Sequence, residues 1–408
     1  MTRYLFDKEH EFSSCGVGFI THKRSQQTHE LLTHAHQALC MIPHRGGMSA
    51  EGIGDGAGVN IDLSLNFFRK VTKNPRLKAG EFGVANFFLP IDKGQHNAAE
   101  QIISEVFNQH RLDIAVWRDV PVDKKALNSA SQQAQLLIKQ LVFSRPKAIT
   151  TQAAFEDVIH SALAAIEYPA YTKPELYGLY PLSMSSRTQV LKGRLNSWEV
   201  VPYFKDLFDK EHKIHTLFFH TRFSTNTAPN PMFAQPFHRM AHNGELNTDR
   251  KNRLSEDAIA RIQKKKLVFP KGQSDSARLD QTLTRRICED KLDIDVAALA
   301  MMPPAWENDK SISQPVRNML EYFSLYEEKN DGPAAFIFGD GVKVGARLDR
   351  LGLRPLRSVE THDYLAVMSE AGQINFPAEE VIRRGRIEAG GMIVFDHNTQ
   401  QISHTNDV

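Results

Sequence analysis

Strand-forming patterns crowd at both ends of this chain, and no sustained alternation of strands and helices connects them. Near the start, residues 15–21 place Val17 and Phe19 on one face of an extended segment. Near the end, paired strands are predicted at residues 334–338, 342–347, 364–368 and 392–395. A doubly wound sheet requires repeated strand–helix units, so the pattern instead favours a layered α+β architecture.

Helical patterns lie between these strands. Leucine and alanine recur at helical spacing over residues 27–42, and Pro43 ends that pattern. Cys40 falls on this helix and is interpreted as a small core residue. The remaining predicted elements are strands at residues 59–68, 82–89 and 112–117, a helix with Ile102, Ile103, Val106 and Phe107 on one face, a mostly helical stretch over 120–170, further strands within 177–222, and helices at 276–289 and 312–328.

Composition excludes several classes of function. The 50 lysines and arginines nearly balance 48 aspartates and glutamates, so the chain lacks the strong positive field that nucleic acid or an anionic membrane attracts. No apolar run is long enough for a membrane-spanning helix, and the first ten residues are too charged for a signal peptide. We therefore expect a cytoplasmic protein. The three cysteines are scattered and no metal-binding motif is present, so no metal site is expected.

Cys15 is the first candidate for chemistry, because Ser14 and Gly16 leave its sulfur accessible. Taken alone, it also fits a buried strand cysteine. Its position adds a second argument: removal of residues 1–14 would make Cys15 the N-terminus, and its α-amino group could then act as a general base. A cysteine–histidine pair using His220 or His242 is an alternative that needs no cleavage.

Three further groups match the needs of such a nucleophile. Asn243 and Gly244 offer a side-chain amide and a backbone N–H for an oxyanion, although Asn-Gly is also a common tight turn. Arg222 follows an apolar strand, where it suits a substrate carboxylate or a structural ion pair. Asp275 precedes a helix, as a helix cap or as a partner for an ammonium group. Glutamine carries a carboxylate, an ammonium and a cleavable amide.

Several motifs occur in the order typical of one known family. They are Tyr4-Leu-Phe-Asp-Lys8, Cys15-Gly-Val-Gly-Phe19, His44-Arg-Gly-Gly47, Gly54-Asp-Gly-Ala-Gly58, Trp117-Arg-Asp-Val-Pro-Val122, Ser185-Ser-Arg-Thr188, His220-Thr-Arg-Phe-Ser-Thr-Asn-Thr227, Ala234-Gln-Pro-Phe237, His242-Asn-Gly-Glu245, Ser274-Asp-Ser276, Asp331-Gly-Pro-Ala334, Leu348-Asp-Arg350 and Gly352-Leu-Arg-Pro355. Together they resemble the class II glutamine amidotransferase domain at the N-terminus of the glutamate synthase large subunit, and the resemblance spans nearly the whole chain.

The resemblance implies an α+β fold of the N-terminal-nucleophile hydrolase type, a four-layer αββα sandwich with two antiparallel sheets between helical layers. It implies a propeptide at residues 1–14 and an amidotransferase domain at 15–408, with a more helical insertion around 120–175. The site residues it implies are the nucleophile Cys15, the oxyanion donors Asn243 and Gly244, and the glutamine-binding residues Arg222, Asp275 and Thr225. The expected reaction is hydrolysis of L-glutamine to glutamate and ammonia through a cysteine thioester.

The sequence departs from the family pattern at Pro231, Lys251 and Leu351. Because the flavin-binding synthase region of the family is missing, no cofactor is expected in this chain. FMN and an iron–sulfur cluster are expected only on a separate synthase subunit that receives the ammonia. Two alternatives remain open: an unprocessed, non-catalytic relative with a binding or regulatory role, and an amidohydrolase of the same type that acts on another amide.

Overall fold

The computed structural model describes residues 15–221, 229–246 and 250–407, with the backbone alone at 250–252. In these ranges the helices are α1 (Glu30–Cys40), α2 (Leu65–Thr72), α3 (Lys93–Gln109), α4 (Ser129–Gln133), α5 (Gln152–Thr172), α6 (Val200–Tyr203), α7 (Arg250–Ile262), α8 (Asp275–Cys288), α9 (Ile294–Met301) and α10 (Gln314–Ser324). The strands are β1 (Gly16–His22), β2 (Ala57–Asp62), β3 (Phe82–Phe88), β4 (Asp113–Asp119), β5 (Ile138–Ser144), β6 (Tyr180–Ser185), β7 (Thr188–Gly193), β8 (Thr216–Thr221), β9 (Met240–Gly244), β10 (Ala334–Gly339), β11 (Lys343–Leu348), β12 (Arg357–Thr361), β13 (Tyr364–Met368), β14 (Val381–Arg386), β15 (Met392–Asp396) and β16 (Gln401–His404).

A seven-stranded antiparallel sheet holds β1 at its centre. Its strand order is β14-β12-β13-β1-β8-β2-β7. The register places Gly16 opposite Thr221 and Val17 opposite His220, so β1 begins where β8 ends. All seven residues of β1 are buried, because other layers cover both faces of this sheet.

A five-stranded sheet, β16-β15-β11-β10-β9, packs face to face on the first. Apolar side chains from both sheets interdigitate in a shared core. Its members include Val17, Phe19, Phe218, Ala241, Ala335, Ile337, Val344, Ala346, Leu365 and Val367. This core brings the beginning of β1 close to β9, although more than two hundred residues separate the two strands in the sequence.

Helices cover the outer face of each sheet. The apolar side of α1, including Leu31 and Leu39, packs on the seven-stranded sheet against Val59. Leu283 of α8 and Leu299 of α9 pack on the five-stranded sheet, together with α10. The chain therefore has the αββα sandwich that the resemblance implies, and the α+β class is confirmed.

A third sheet, β4-β5-β3-β6, is built from residues 82–185 and packs with α3 and α5 around its own core. The helical stretch expected around 120–175 lies within this unit, but it also contains the strand β5. Five of the seven residues of β5 are buried, and this segment is a strand because it pairs with β3 and β4.

Two local predictions were wrong. The strand expected over 59–68 ends at Asp62, and α2 follows with Phe67 and Phe68 buried in a small core. Cys40 is exposed at the last turn of α1 and is not a core residue. In both cases the apolar residues nearby led to a wrong prediction, of strand length in the first and of burial in the second. Both properties depend on packing partners from other parts of the chain. Within the described ranges, the helices are too short or too polar to cross a membrane.

Candidate active site

Cys15 lies directly before β1, is half-buried and forms no disulfide with the other two cysteines. Close packing fixes the backbone that follows it. A Cβ atom at Gly16 would lie 2.6 Å from Ile42 Cδ1 and 2.7 Å from Thr221 Cγ2, so no larger residue fits there without displacing its neighbours. Arg45 Nη1 donates a hydrogen bond of 3.4 Å to the carbonyl oxygen of Cys15. The backbone that carries the sulfur is therefore fixed by the packing at Gly16 and by the hydrogen bond from Arg45.

An ionic cluster supports this start of β1. Glu370 accepts a hydrogen bond from Arg45 Nε and one of 2.7 Å from His44 Nε2. Burial opposes ionisation of Glu370, but the bonds from His44 and Arg45 outweigh it and lower the pKa of Glu370. Ser369 Oγ adds two bonds to Val17, accepting from its N–H at 2.7 Å and donating to its carbonyl at 2.8 Å.

Reasoning from the sequence missed the contacts that Arg45, Ser369 and Glu370 make at the start of β1. Arg45 belongs to the motif His44-Arg-Gly-Gly47, but nothing local in the sequence connects this motif with Ser369 and Glu370, which follow β13. Pairing of β13 with β1 brings them to Cys15.

Asn243 and Gly244 end β9 and do not form the tight turn that the dipeptide often makes. They lie opposite Ala335 and Ala334 of β10. Gly244 has a φ of +128°, and a Cβ atom there would overlap the carbonyl of Pro333, so only glycine fits. The Asn243 side chain is buried, and neither its Nδ2 nor its Oδ1 has a hydrogen-bond partner in the described part of the chain. Such a buried amide is rare in folded proteins and requires an explanation.

Two histidines connect β9 with the surrounding elements. His220 Nε2 donates to the carbonyl oxygen of His242 at 3.1 Å, which joins β8 to β9 across the two sheets. His242 Nε2 shares a hydrogen bond of 2.5 Å with Ser276 Oγ, at the beginning of α8. Because His220 lies opposite Val17 in the seven-stranded sheet, these bonds bring Asn243 and the first turn of α8 to the end of the sandwich that carries Cys15.

Neither histidine pairs with Cys15. The Nε2 atoms of His220 and His242 are bonded as described, and their Nδ1 atoms have no hydrogen-bond partner among the described residues. Burial lowers the pKa of His220 to about 3 and the pKa of His242 to about 4, so both rings are neutral at pH 7. The geometry therefore does not support a papain-like cysteine–histidine pair.

Asp275 is the first residue of α8, and the helix cap is Ser274, whose Oγ accepts from the N–H of Ala277 at 3.2 Å. The carboxylate of Asp275 remains accessible, with 44% of its side chain exposed, and forms an ion pair with Arg253 of α7. The predicted roles of Arg222 and Thr225 fall outside the described residues and stay predictions.

The described residues contain no group of three or more histidine, cysteine or carboxylate side chains arranged to hold a metal ion.

Comparison with known proteins adds the family. Residues 15–408 match the family model of the class II glutamine amidotransferases. The chain belongs to this family, and it is accordingly a glutamine-hydrolysing enzyme domain. The match begins at Cys15, the residue that we select as nucleophile on other grounds.

Curated relatives include glutamate synthases from several lineages. The chain is 32% identical to the NADH glutamate synthase of Schizosaccharomyces pombe, covering 96% of this chain and 19% of that protein. It is 31% identical to the NADPH glutamate synthase large chain of Bacillus subtilis, covering 99% of this chain and 27% of that protein. It is 33% identical to the ferredoxin-dependent glutamate synthase of Antithamnion, covering 95% and 26%. The chain thus spans about a quarter or less of the length of these relatives.

Proposed function

We propose that this chain hydrolyses L-glutamine to L-glutamate and ammonia with Cys15 as the nucleophile, after removal of residues 1–14. The observation that carries the proposal is the buried amide of Asn243, which has no partner in the described residues and lies beside Gly244 at the end of the sandwich where β1 begins. A group that bonds a substrate oxyanion is left without a partner until the substrate arrives.

In the proposed reaction, the α-amino group of Cys15 accepts the proton of the thiol, and the sulfur attacks the side-chain amide carbon. The amide oxygen then carries a negative charge, which Asn243 Nδ2 and the N–H of Gly244 stabilise. The intermediate collapses as the nitrogen takes up the proton held by the α-amino group of Cys15 and leaves as ammonia, with a γ-glutamyl thioester remaining on Cys15. Water cleaves this thioester to give glutamate and restores the thiol.

Two charged groups of the substrate require partners. We assign the ammonium group to Asp275, where it would replace Arg253 on the carboxylate. Arg222 is assigned to the α-carboxylate and Thr225 to the same group, both from the family resemblance. Binding of glutamine would therefore replace the exposed Asp275–Arg253 ion pair with two ionic contacts, one to its ammonium group and one to its α-carboxylate.

The ammonia is proposed to pass to a glutamate-synthase-type module on a separate, flavin-dependent subunit, which would carry the FMN and the iron–sulfur cluster. The names of the curated relatives support a synthase partner. Purification of the native complex, followed by a flavin absorbance spectrum and identification of co-purifying chains, tests this part of the proposal. A cytoplasmic location stays a prediction from the sequence.

The nucleophile is tested with Cys15→Ala and with Cys40→Ala, which removes an exposed thiol from the end of α1. We expect glutaminase activity to vanish in the first variant and to be unchanged in the second. A diazo-ketone analogue of glutamine should add one label, located on Cys15 by peptide mass spectrometry. Intact mass of the labelled chain should show that residues 1–14 are gone.

Full activity of Cys15→Ala would overturn the assignment of the nucleophile. An unlabelled Cys15 in a chain that keeps residues 1–14 would instead support a non-catalytic relative with a binding or regulatory role. Higher kcat/KM on asparagine or acyl-amino acids than on glutamine would support the alternative of a different amide substrate.

A further inference from the structure

A cavity of about 520 Å³ lies between α5, β6, α8 and the segment that joins α7 to α8, apart from the candidate active site. Cys15, Asn243, Gly244 and Asp275 do not line it. Its volume falls within the range of about 300–1,000 Å³ that is usual for sites of small organic ligands. The proposed reaction makes no use of this cavity.

Aromatic rings form much of the cavity wall. They are Tyr168, Tyr171, Tyr180, Phe237 and Phe269. Lys192 lies behind two of these rings, 5.4 Å from the ring centre of Tyr180 and 5.1 Å from that of Phe237. Its ammonium group is bonded to the carbonyl oxygens of Met232 and Ala234 at 2.9 and 2.7 Å and does not line the cavity.

Two carboxylates face this aromatic cavity without an ion-pair partner among the described residues. Glu167 accepts a hydrogen bond of 3.2 Å from Tyr171 Oη. Asp280 accepts bonds from the backbone N–H groups of Arg239 at 2.7 Å and His238 at 3.2 Å. Burial raises the pKa of Glu167 to about 7 and that of Asp280 to about 6, and this effect outweighs the opposing charges of His160 near Glu167 and of Arg239 and Lys192 near Asp280.

The positive groups of the wall already have partners or lie in solvent. Lys265 and His160 both pair with Glu289, the latter at 3.2 Å. Arg285 pairs with Glu256, and Lys266 is exposed. An anionic ligand would have to break one of these pairs, whereas a cationic ligand would find two carboxylates available.

We propose that this cavity is a binding site for an organic ammonium ligand, a protonated amine attached to an apolar or aromatic body. The ammonium group pairs with Glu167 and Asp280, and the apolar body packs against the tyrosine and phenylalanine rings. Burying two carboxylates costs free energy, and a charged hydrogen bond from the ammonium group of the ligand would offset that cost.

The position of Asp280 connects this site to the candidate active site. Asp280 follows Asp275 by five residues on α8, about 7.5 Å along the helix axis. The same carboxylate holds the backbone of His238 and Arg239, directly before β9 and its Asn243. A ligand on Asp280 therefore contacts α8, which carries Asp275, and lies beside the residues directly before β9.

The test uses phenethylamine as the cationic probe and 2-phenylethanol as its neutral counterpart, with binding measured by isothermal titration calorimetry at pH 7.5. We expect the amine to bind the full chain at least about tenfold more tightly than the alcohol. Glu167→Gln keeps the size of the side chain and an acceptor for Tyr171, and it should weaken amine binding about tenfold without affecting the alcohol. Glu175→Gln, at a residue outside the cavity lining, should change neither.

A second variant tests the cavity independently, in case Glu167→Gln does not fold. Ala164 lines the cavity from α5, so Ala164→Trp should fill it and abolish binding of both probes. Cys15→Ala should bind phenethylamine like the native chain, which separates this site from the glutamine site. Equal binding of amine and alcohol, no binding of the amine, or native affinity in Glu167→Gln and Ala164→Trp would overturn the proposal.

Discussion

The two ends of β8 differ in how their buried polar groups are satisfied. At the first residue, Thr216 Oγ1 bonds with Thr21 Oγ1 and with His397 Nε2, both at 2.6 Å. Asp62 Oδ1 accepts from the N–H groups of His215 and Thr216, both at 2.8 Å. Every one of these groups has a protein partner, as the cost of burying polar atoms requires.

At the last residue of β8 the opposite holds. Thr221 Oγ1 is buried without a hydrogen-bond partner in the described part of the chain, and the same is true of the Asn243 amide and of Nδ1 in His220. The two threonines lie five residues apart on one strand of one sheet. We call the end at Thr216 the satisfied end and the end at Thr221 the open end; under the proposed function, a substrate supplies the missing bonds at the open end.

The sharpest test of this contrast replaces two buried asparagines. Asn243→Ala should lower kcat for glutamine about 100- to 1,000-fold, as loss of one oxyanion donor does, while the free energy of unfolding stays within about 0.5 kcal/mol. Asn86 is equally buried, but its Nδ2 donates to the Val190 carbonyl at 3.0 Å and its Oδ1 accepts from Gln140 at 3.0 Å. Asn86→Ala should cost about 2 kcal/mol of stability.

Measurements of kcat and of the free energy of unfolding in urea, made on both variants, test these expectations. A marked loss of stability in Asn243→Ala with unchanged kcat would mean that this amide is structural.

The second test compares the threonines at the two ends of β8. Thr216→Val keeps the shape of the side chain but removes a hydroxyl that serves Thr21 and His397, so it should cost about 1–3 kcal/mol of unfolding free energy. Thr221→Val removes a hydroxyl without a described partner and should leave stability unchanged or slightly higher. Equal losses in the two variants, measured by thermal or urea unfolding, would remove the distinction between the two ends.

The third test measures how the free energy of unfolding depends on pH through His397, which bonds Thr216 at the satisfied end of β8. Burial, and then the neighbouring His215 and His22, lowers the pKa of His397 to about 2. Below about pH 6.5 the unfolded chain therefore takes up a proton that the folded chain does not. The free energy of unfolding should fall as the pH drops from 6.5 to 4, by at most about 1.4 kcal/mol per pH unit for this one group. In His397→Gln the slope should be smaller, and an unchanged slope in urea titrations at several pH values would contradict the assignment.

The smallest expected effect concerns the exposed ion pair beside the open end. Arg253→Ala frees the Asp275 carboxylate, so the KM for glutamine should fall about two- to fivefold, with a stability change below about 1 kcal/mol. Asp257→Asn is the matched control, because it breaks the 3.2 Å pair with Arg278 between the same two helices and leaves Asp275 untouched. Steady-state kinetics in which both variants shift KM equally would show that the helix contact, not the freed carboxylate, matters.

Much of the fold follows from local patterns. The strand after Cys15, the helix α1 ended by Pro43, and the strands β10, β11, β13 and β15 were predicted within a few residues, whereas β12, β14 and β16 were not predicted. β9 was missed within a stretch rich in proline and asparagine, because this short strand exists only through pairing with β10, some ninety residues later. β5 was hidden in a helical context for the same reason.

By itself, the sequence determined the candidate nucleophile, the oxyanion dipeptide and the family, because ordered motifs and residue chemistry are local properties. Only the tertiary structure decided that Arg45 and Glu370 clamp the start of β1, that His220 and His242 are structural, and that a separate cavity with two unpaired carboxylates exists. The physical reason is that hydrogen-bond satisfaction and burial depend on neighbours from distant parts of the chain, which periodicity along one segment does not report.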